Sequence, residues 1–154
     1  MSKCKICRAK GVMILAALTV LVIAFIWGNS CVSGETSGAQ SGVVTKLLQS
    51  ILDPKGKIPE DSFHHFVRKT AHFTEFAVLG LLVGSLFWMI GRQTGRVFFS
   101  LPVLIVVLVA VMDEYIQYFS GRGSAVTDVV LDISGAVTGL TMVLLITVLM
   151  KKKK

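Results

Sequence analysis

The sequence predicts an all-α integral membrane protein, a bundle of four transmembrane helices with a short amphipathic helix in the first outer loop. Of its 154 residues, 53% are hydrophobic and only 16% are charged, and the mean hydropathy is +0.73. A soluble domain of this length could not bury so much apolar surface, so much of the surface must face lipid. In addition, four apolar runs each approach the roughly 20 residues that a helix needs to cross a bilayer.

The four spans are expected at about residues 12–27, 77–90, 97–112 and 129–150. The second and third runs are short as purely apolar segments, so their helices must continue into polar flanks. The ionisable residues of those flanks therefore lie at the membrane interface or just inside it. Phe63, Tyr115, Tyr118 and Phe119 are predicted to form an aromatic belt at the outer boundary.

The long segment between the first two spans does not cross the membrane. Its first part, up to residue 42, is rich in Ser, Gly and Thr and is expected to be an exposed loop. From Val43 to Asp53 the apolar residues recur at helical spacing, which predicts an amphipathic helix. This helix either lies among the outer headgroups or packs across the outer mouth of the bundle. Pro59 and the acidic residues after it predict the start of a helix that runs into the second span.

Basic residues in the short segments predict that both termini are cytoplasmic, in a multi-pass protein of a bacterial plasma membrane. With four spans, all the lysines and arginines before the first span, between the second and third, and at the end of the chain lie on one side. The net charge of +7 then anchors the protein to lipid, and nucleic acid is excluded as a partner because no soluble basic face exists. The predicted organisation is a tail and first span at 1–28, an outer loop at 29–62, a three-helix membrane domain at 63–150 and a cytoplasmic lysine tail at 151–154.

Polar residues cluster at the ends of the last three spans that this topology puts on the outer side. At about 100 degrees per residue, they fall on shared helix faces. These residues are Arg68, His72 and Glu75 on the second span, Asp113 and Gln117 on the third, and Asp128 and Asp132 on the fourth. Glu114 points about 100 degrees away from Asp113, toward a different neighbour. A charged side chain near hydrocarbon is rare without a partner or a task, so the cluster predicts a polar site. Gly135 and Gly139 beneath it are expected to let a neighbouring helix approach closely.

Three motifs, in this order and at these distances, resemble the VanZ-like family of small membrane proteins. The motifs are Arg68-Lys69-x-x-His72-Phe73-x-Glu75, Asp113-Glu114-x-x-Gln117, and Gly121-Arg122-Gly123-Ser124-x-x-x-Asp128-x-x-x-Asp132-x-x-Gly135. The resemblance covers about residues 63–149 and leaves out the first span and the amphipathic segment. Because the family's first-named members lower susceptibility to teicoplanin, the resemblance implies a membrane location and a role in glycopeptide resistance. The chain departs from the family at Phe76, where tyrosine is more usual, so a hydroxyl group is not essential there.

We expect the polar site to bind or modify an anionic lipid or a lipid-linked cell-envelope precursor. In an enzyme, His72 or Glu75 would act as general acid or base. The aspartates would position water or a divalent cation. These aspartates are Asp113, Asp128 and Asp132. The predicted substrate-binding residues, whose basic members would hold phosphate, are Arg68, Lys69, Gln117 and Arg122.

Other functions are compatible with the same residues. A non-catalytic protein could bind a headgroup or glycan with the basic residues alone. A third hypothesis is that the charges pair only to lock the helices in register. A proton or ion pathway is disfavoured because the cluster is confined to one side of the membrane. Histidine and carboxylates from three helices would suit a hard metal ion, but no single tight ligand motif is present, so the presence of a metal is left open.

Overall fold

A computed structural model describes residues 2–32, 45–53, 57–121, 123 and 125–152. Within these ranges the chain forms five helices and no strand. They are α1 (Ser2–Ser30), α2 (45–52), α3 (Glu60–Thr94), α4 (Ser100–Phe119) and α5 (Val126–Lys152). Of these described helices, α1, α3, α4 and α5 are long and apolar enough to cross a membrane. The prediction of an all-α bundle with four membrane-spanning helices and a short helix after the first is confirmed.

The third span begins three residues later than the sequence predicts. α3 ends at Thr94, and Gly95 follows with a φ of 70° and donates its N–H to the carbonyl of Gly91 at 2.9 Å. Only glycine adopts this left-handed conformation without strain, so the helix ends here. Residues 96–99 then connect to Ser100 rather than starting α4. Pro102 lies in the first turn of α4, where its missing N–H has no helical partner to lose.

α2 confirms the helix expected after the first span, although the preceding loop and residues 43–44 lie outside the described residues. Its apolar residues Leu47, Ile51 and Leu52 are 63%, 66% and 66% exposed. These three apolar residues therefore do not pack on the described residues, whereas Thr45 of the same helix is buried at 1% exposure. The positions among the headgroups and across the bundle's mouth both remain predictions. After the helix, Asp53 accepts the N–H of Ile58 at 2.7 Å.

The closest approach between helices is that of α3 and α5. A Cβ atom on Gly139 would overlap the carbonyl oxygen of Ala77, and one on Gly80 would overlap that of Ala136. These positions must therefore lack a side chain for the two backbones to touch. Gly135 makes the same kind of approach to α3, so the packing role predicted for Gly135 and Gly139 is confirmed.

The hydrophobic core lies where all four long helices meet. Its fully buried members are Ile26 of α1, Phe76, Leu79 and Val83 of α3, Val106 and Ala110 of α4, and Ala136 of α5. Large apolar side chains also cover the outside of these helices, as expected for a surface that faces lipid. The aromatic belt is wrong for Phe63, which is buried at 3% exposure. Tyr115, Tyr118 and Phe119 are exposed, as a belt requires, and their place at the outer boundary stays a prediction.

Candidate functional site

The three predicted motifs meet at one end of the bundle. The first part of α3, the last turns of α4 and the first turns of α5 come together there, because successive helices run in opposite directions. His72 Nδ1 lies 3.6 Å from Asp132 Oδ1 and 3.9 Å from Asp113 Oδ2. An imidazole and two carboxylates, each from a different helix, therefore face one another. We call His72, Asp113 and Asp132 the central cluster.

The central cluster is buried and incompletely hydrogen-bonded. Asp113 and Asp132 are 0% exposed, and the side chain of His72 is 16% exposed. Among the described residues, both oxygens of Asp132 and Nδ1 of His72 have no hydrogen-bond partner. The 3.6 Å separation between these two side chains exceeds the length of a hydrogen bond. Since a buried ion pair stabilises only with close geometry and satisfied polar atoms, this cluster is a poor packing lock.

Asp113, in contrast, is held firmly. Ser30 Oγ donates a hydrogen bond to its Oδ1 at 2.6 Å, and Gln117 Nε2 donates to its Oδ2 at 2.8 Å. Ser30 is the last residue of α1, and its carbonyl in turn accepts a hydrogen bond from Ser120 Oγ at 2.7 Å. Ser30 was not among the predicted site residues, because its only signal in the sequence is a polar residue at the end of an apolar span. The first span therefore contributes to the site.

Gln117 connects the carboxylates to a cation. It is fully buried, its Oε1 accepts from Arg68 Nη2 at 3.2 Å, and its Nε2 also donates to Glu114 Oε1 at 3.1 Å. The other oxygen of Glu114 accepts the N–H of Ala125 at 3.1 Å, so Glu114 does meet a different neighbour, the turn before α5. The Gln117 amide therefore orients the carboxylates of Asp113 and Glu114 through hydrogen bonds. The predicted contact of Gln117 with a substrate stays a prediction.

A small cavity opens beside the central cluster. It has a volume of about 60 Å³ and is lined by His65, Arg68, Lys69, His72, Gly123, Asp128 and Leu131. Lys69 Nζ lies 3.5 Å from Asp128 Oδ1 at the cavity rim, with 53% of the lysine side chain exposed. Glu75 is partly buried one turn beyond His72 and is close enough for its charge to act on the imidazole. Arg122 lies outside the described residues.

Acidic groups outnumber basic groups around the floor of the site. Asp113, Glu114 and Asp132 are buried carboxylates, whereas Arg68 donates to the Gln117 amide. Lys69 pairs with Asp128 at the rim, which leaves the His72 imidazole as the basic group nearest the floor. A buried excess of negative charge is unfavourable and attracts a cation.

A family model places the chain among known proteins. The model for VanZ/LLP1 matches residues 15–148, a stretch that contains all three motifs. The chain belongs to the VanZ/LLP1 family. No curated protein and no solved structure matches it. With its four apolar helices, this VanZ/LLP1 chain is a multi-pass membrane protein.

The extent of the VanZ/LLP1 match corrects one expectation. The motifs alone limited the resemblance to about residues 63–149, but the family match begins at residue 15, inside α1. The packing gives the physical reason, because Ile26 of α1 belongs to the buried core and Ser30 holds Asp113. The predicted division of this VanZ/LLP1 chain into segments that end at residues 28, 62, 150 and 154 stays a prediction.

Proposed function

We propose that this VanZ/LLP1 protein binds the anionic headgroup of a membrane lipid, or of a lipid-linked cell-envelope precursor, at the polar end of its bundle. The observation that carries the proposal is the cavity of about 60 Å³ between Arg68, Lys69, His65 and His72. At roughly 10–15 Å³ for each water molecule, this volume accommodates a compact anionic group. Guanidinium and ammonium groups make short, charge-assisted hydrogen bonds to phosphate.

The position of the cavity suits a lipid ligand. The exposed aromatic residues Tyr115, Tyr118 and Phe119 lie at the same end of the bundle, and such residues favour the headgroup level of a membrane. A lipid in the adjacent leaflet would then reach the cavity with its headgroup. Its acyl chains would lie along the apolar outer surfaces of the neighbouring helices.

The proposed ligand is in the outer leaflet of a bacterial plasma membrane. This follows from the basic residues, since a cytoplasmic position for both chain termini puts the cavity on the outer side. Anionic phospholipids and lipid-linked envelope precursors are the ligands that this side offers. If the bound group is also modified, His72 and Glu75 are the residues we expect to transfer protons.

The competing hypothesis, a cluster that only locks helix packing, predicts well-paired charges. The oxygens of Asp132 accept no hydrogen bond from the described residues, and His72 lies 3.6 Å away. Both observations weigh against a packing lock. A lock would also need no cavity lined by basic residues.

Lipid binding by the purified protein tests the proposal. Native mass spectrometry in detergent would compare phosphatidylglycerol and undecaprenyl phosphate with zwitterionic phosphatidylcholine. Arg68→Gln and Lys69→Gln should each weaken binding of the anionic lipids at least about tenfold, since a hydrogen bond to a charged group contributes about 1.5–3 kcal/mol. Arg96→Gln removes the same charge from the exposed loop at the opposite end and should have no effect. Equal binding of anionic and zwitterionic lipids, or equal losses in all three variants, would contradict the proposal.

We further propose that this binding lowers susceptibility to teicoplanin, as the resemblance of the motifs implies. The test is the inhibitory concentration of teicoplanin in a susceptible Gram-positive host that expresses the protein. At matched membrane levels, the wild type should raise the inhibitory concentration. Three variants should not raise it: His72→Ala, Glu75→Gln and Asp128→Asn. If all four proteins behave like the empty vector, this part of the proposal is wrong while the lipid binding remains open to its own test.

A further inference from the structure

We infer that His72, Asp113 and Asp132 form a binding site for one first-row divalent metal ion, with Zn²⁺ and Mn²⁺ as the best-fitting ions. One ligand atom from each residue lies within 4.8 Å of the other two, and the three residues come from three different helices. The inference goes beyond the lipid proposal and does not depend on it, because metal binding is measured on the lipid-free protein.

The separations from His72 to the two aspartates are close to those around a shared ion. Metal–ligand bonds of about 2.0–2.2 Å in a tetrahedral site place neighbouring ligand atoms about 3.3–3.6 Å apart. His72 Nδ1 is 3.6 Å from Asp132 Oδ1 and 3.9 Å from Asp113 Oδ2. A small rotation of the side chains would complete the coordination. The same separations are too long for direct hydrogen bonds.

The hydrogen bonding around the central cluster is an independent observation that points to a ligand. Asp132 is fully buried, yet both of its oxygens lack a partner among the described residues, as does Nδ1 of His72. A buried carboxylate whose oxygens accept no hydrogen bond is unfavourable, and an ion between the three side chains would stabilise it. Asp113 is already oriented by Ser30 and Gln117. Outer hydrogen bonds of this kind orient the ligands of metal sites.

The charge and the ligand types select the ion. The buried carboxylates of Asp113 and Asp132 face a single imidazole, so a divalent cation would offset the excess negative charge. One nitrogen and two carboxylate oxygens suit Zn²⁺ or Mn²⁺, whereas Mg²⁺ and Ca²⁺ prefer oxygen ligands alone. Three protein ligands leave a coordination position open, and one of them, His72, also lines the cavity described above.

Metal binding to the purified protein tests this inference. The protein would carry a tag without histidine and serine in place of its three cysteines, and would be stripped with EDTA before titration with Zn²⁺ or Mn²⁺. Equilibrium dialysis with elemental analysis should find one ion per chain, with Mg²⁺ competing only at large excess. Asp132→Asn and Asp113→Asn should each lower the affinity at least about 100-fold. Asp61→Asn, which changes an exposed carboxylate at the start of α3, should leave the affinity unchanged.

A spectroscopic measurement on the wild type tests the site even if the aspartate variants fail to fold. Electron spin echo modulation of the Mn²⁺ complex should detect one directly bound nitrogen, and the signal should be lost in His72→Ala. No stoichiometric ion in the wild type would overturn the inference. The inference would also be overturned if Asp132→Asn elutes as a folded protein from size-exclusion chromatography and binds the metal ion as tightly as the wild type. Binding of anionic lipid to the metal-stripped protein, measured in the same samples, keeps the two proposals separate.

Discussion

Replacing Asp132 by asparagine distinguishes a ligand site from a packing lock. Asparagine keeps the shape of the side chain and removes its charge. In the metal-free protein, Asp132 is attracted to a protonated His72 across 3.6 Å and repelled by Asp113 within 4.8 Å. With an effective dielectric constant of about 20, the attraction is about 4.6 kcal/mol and the repulsion at least about 3.5 kcal/mol.

These two interactions nearly cancel. The remainder, at most about 1 kcal/mol in favour of the charge, is smaller than the several kcal/mol that burial of an ion costs. Glu114, also buried, adds further repulsion. We therefore expect Asp132→Asn without metal to be as stable as the wild type, or more stable by about 1–3 kcal/mol. A packing lock instead predicts a loss of about 3–5 kcal/mol when one partner is removed.

The assay is unfolding by SDS in detergent micelles containing EDTA, followed by tryptophan fluorescence. Trp27 reports on the contact between α1 and α4, because its Nε1 donates to the carbonyl of Val109 at 3.4 Å. The background variant Trp88→Phe removes the other tryptophan of the chain, and Asp61→Asn serves as the exposed control. A loss of about 3 kcal/mol or more in Asp132→Asn alone, the size expected for a broken buried ion pair, would contradict the prediction. The charges would then stabilise the bundle rather than serve a ligand.

Three further predictions concern the packing, the orientation and the support of the site. Gly139→Leu should destabilise the bundle by at least about 1–3 kcal/mol in the SDS assay, because even its Cβ would overlap the α3 backbone. The control Gly28→Ala adds a Cβ that meets open space and should leave the stability unchanged. A variant that keeps only the exposed Cys31 should react with a membrane-impermeant maleimide in intact cells; labelling only after permeabilisation would reverse the proposed orientation. Ser30→Ala removes the 2.6 Å hydrogen bond to Asp113 and should cost about 1–3 kcal/mol of stability; an unchanged unfolding curve would mean that α1 does not support the site.

Much of the site was predictable because helical periodicity is a local property. The spacing of Arg68, His72 and Glu75 puts them on one face of α3, and the spacing of Asp128 and Asp132 does the same on α5. The alternation of the spans then brings the three motifs to one end. Helical spacing does not predict the role of Ser30, because Ser30 belongs to another helix. Nor does it predict that the second oxygen of Glu114 accepts the N–H of Ala125.

Some helix boundaries were likewise predictable from the sequence and others were not. Pro59 and the acidic residues after it mark the start of α3 at Glu60, as predicted. The start of α4 was misplaced because residues 97–99 are as apolar as the span that follows. Hydropathy does not distinguish an apolar connection from the first turn of a helix. The left-handed Gly95 and the turn after it decide that boundary.

The sequence alone was enough to predict the all-α membrane class, the four spans, the packing role of Gly135 and Gly139, and the end of the bundle where the polar motifs meet. These follow from hydropathy and periodicity, which each segment carries alone. The packing of the helices was needed to show that Asp113 is held by Ser30 and Gln117, while the oxygens of Asp132 accept no hydrogen bond from the described residues. The rotation and depth of each helix depend on contacts with the other helices, such as the touching backbones at Gly139 and Ala77. A shift of less than 1 Å separates a hydrogen bond from a gap that an ion could fill.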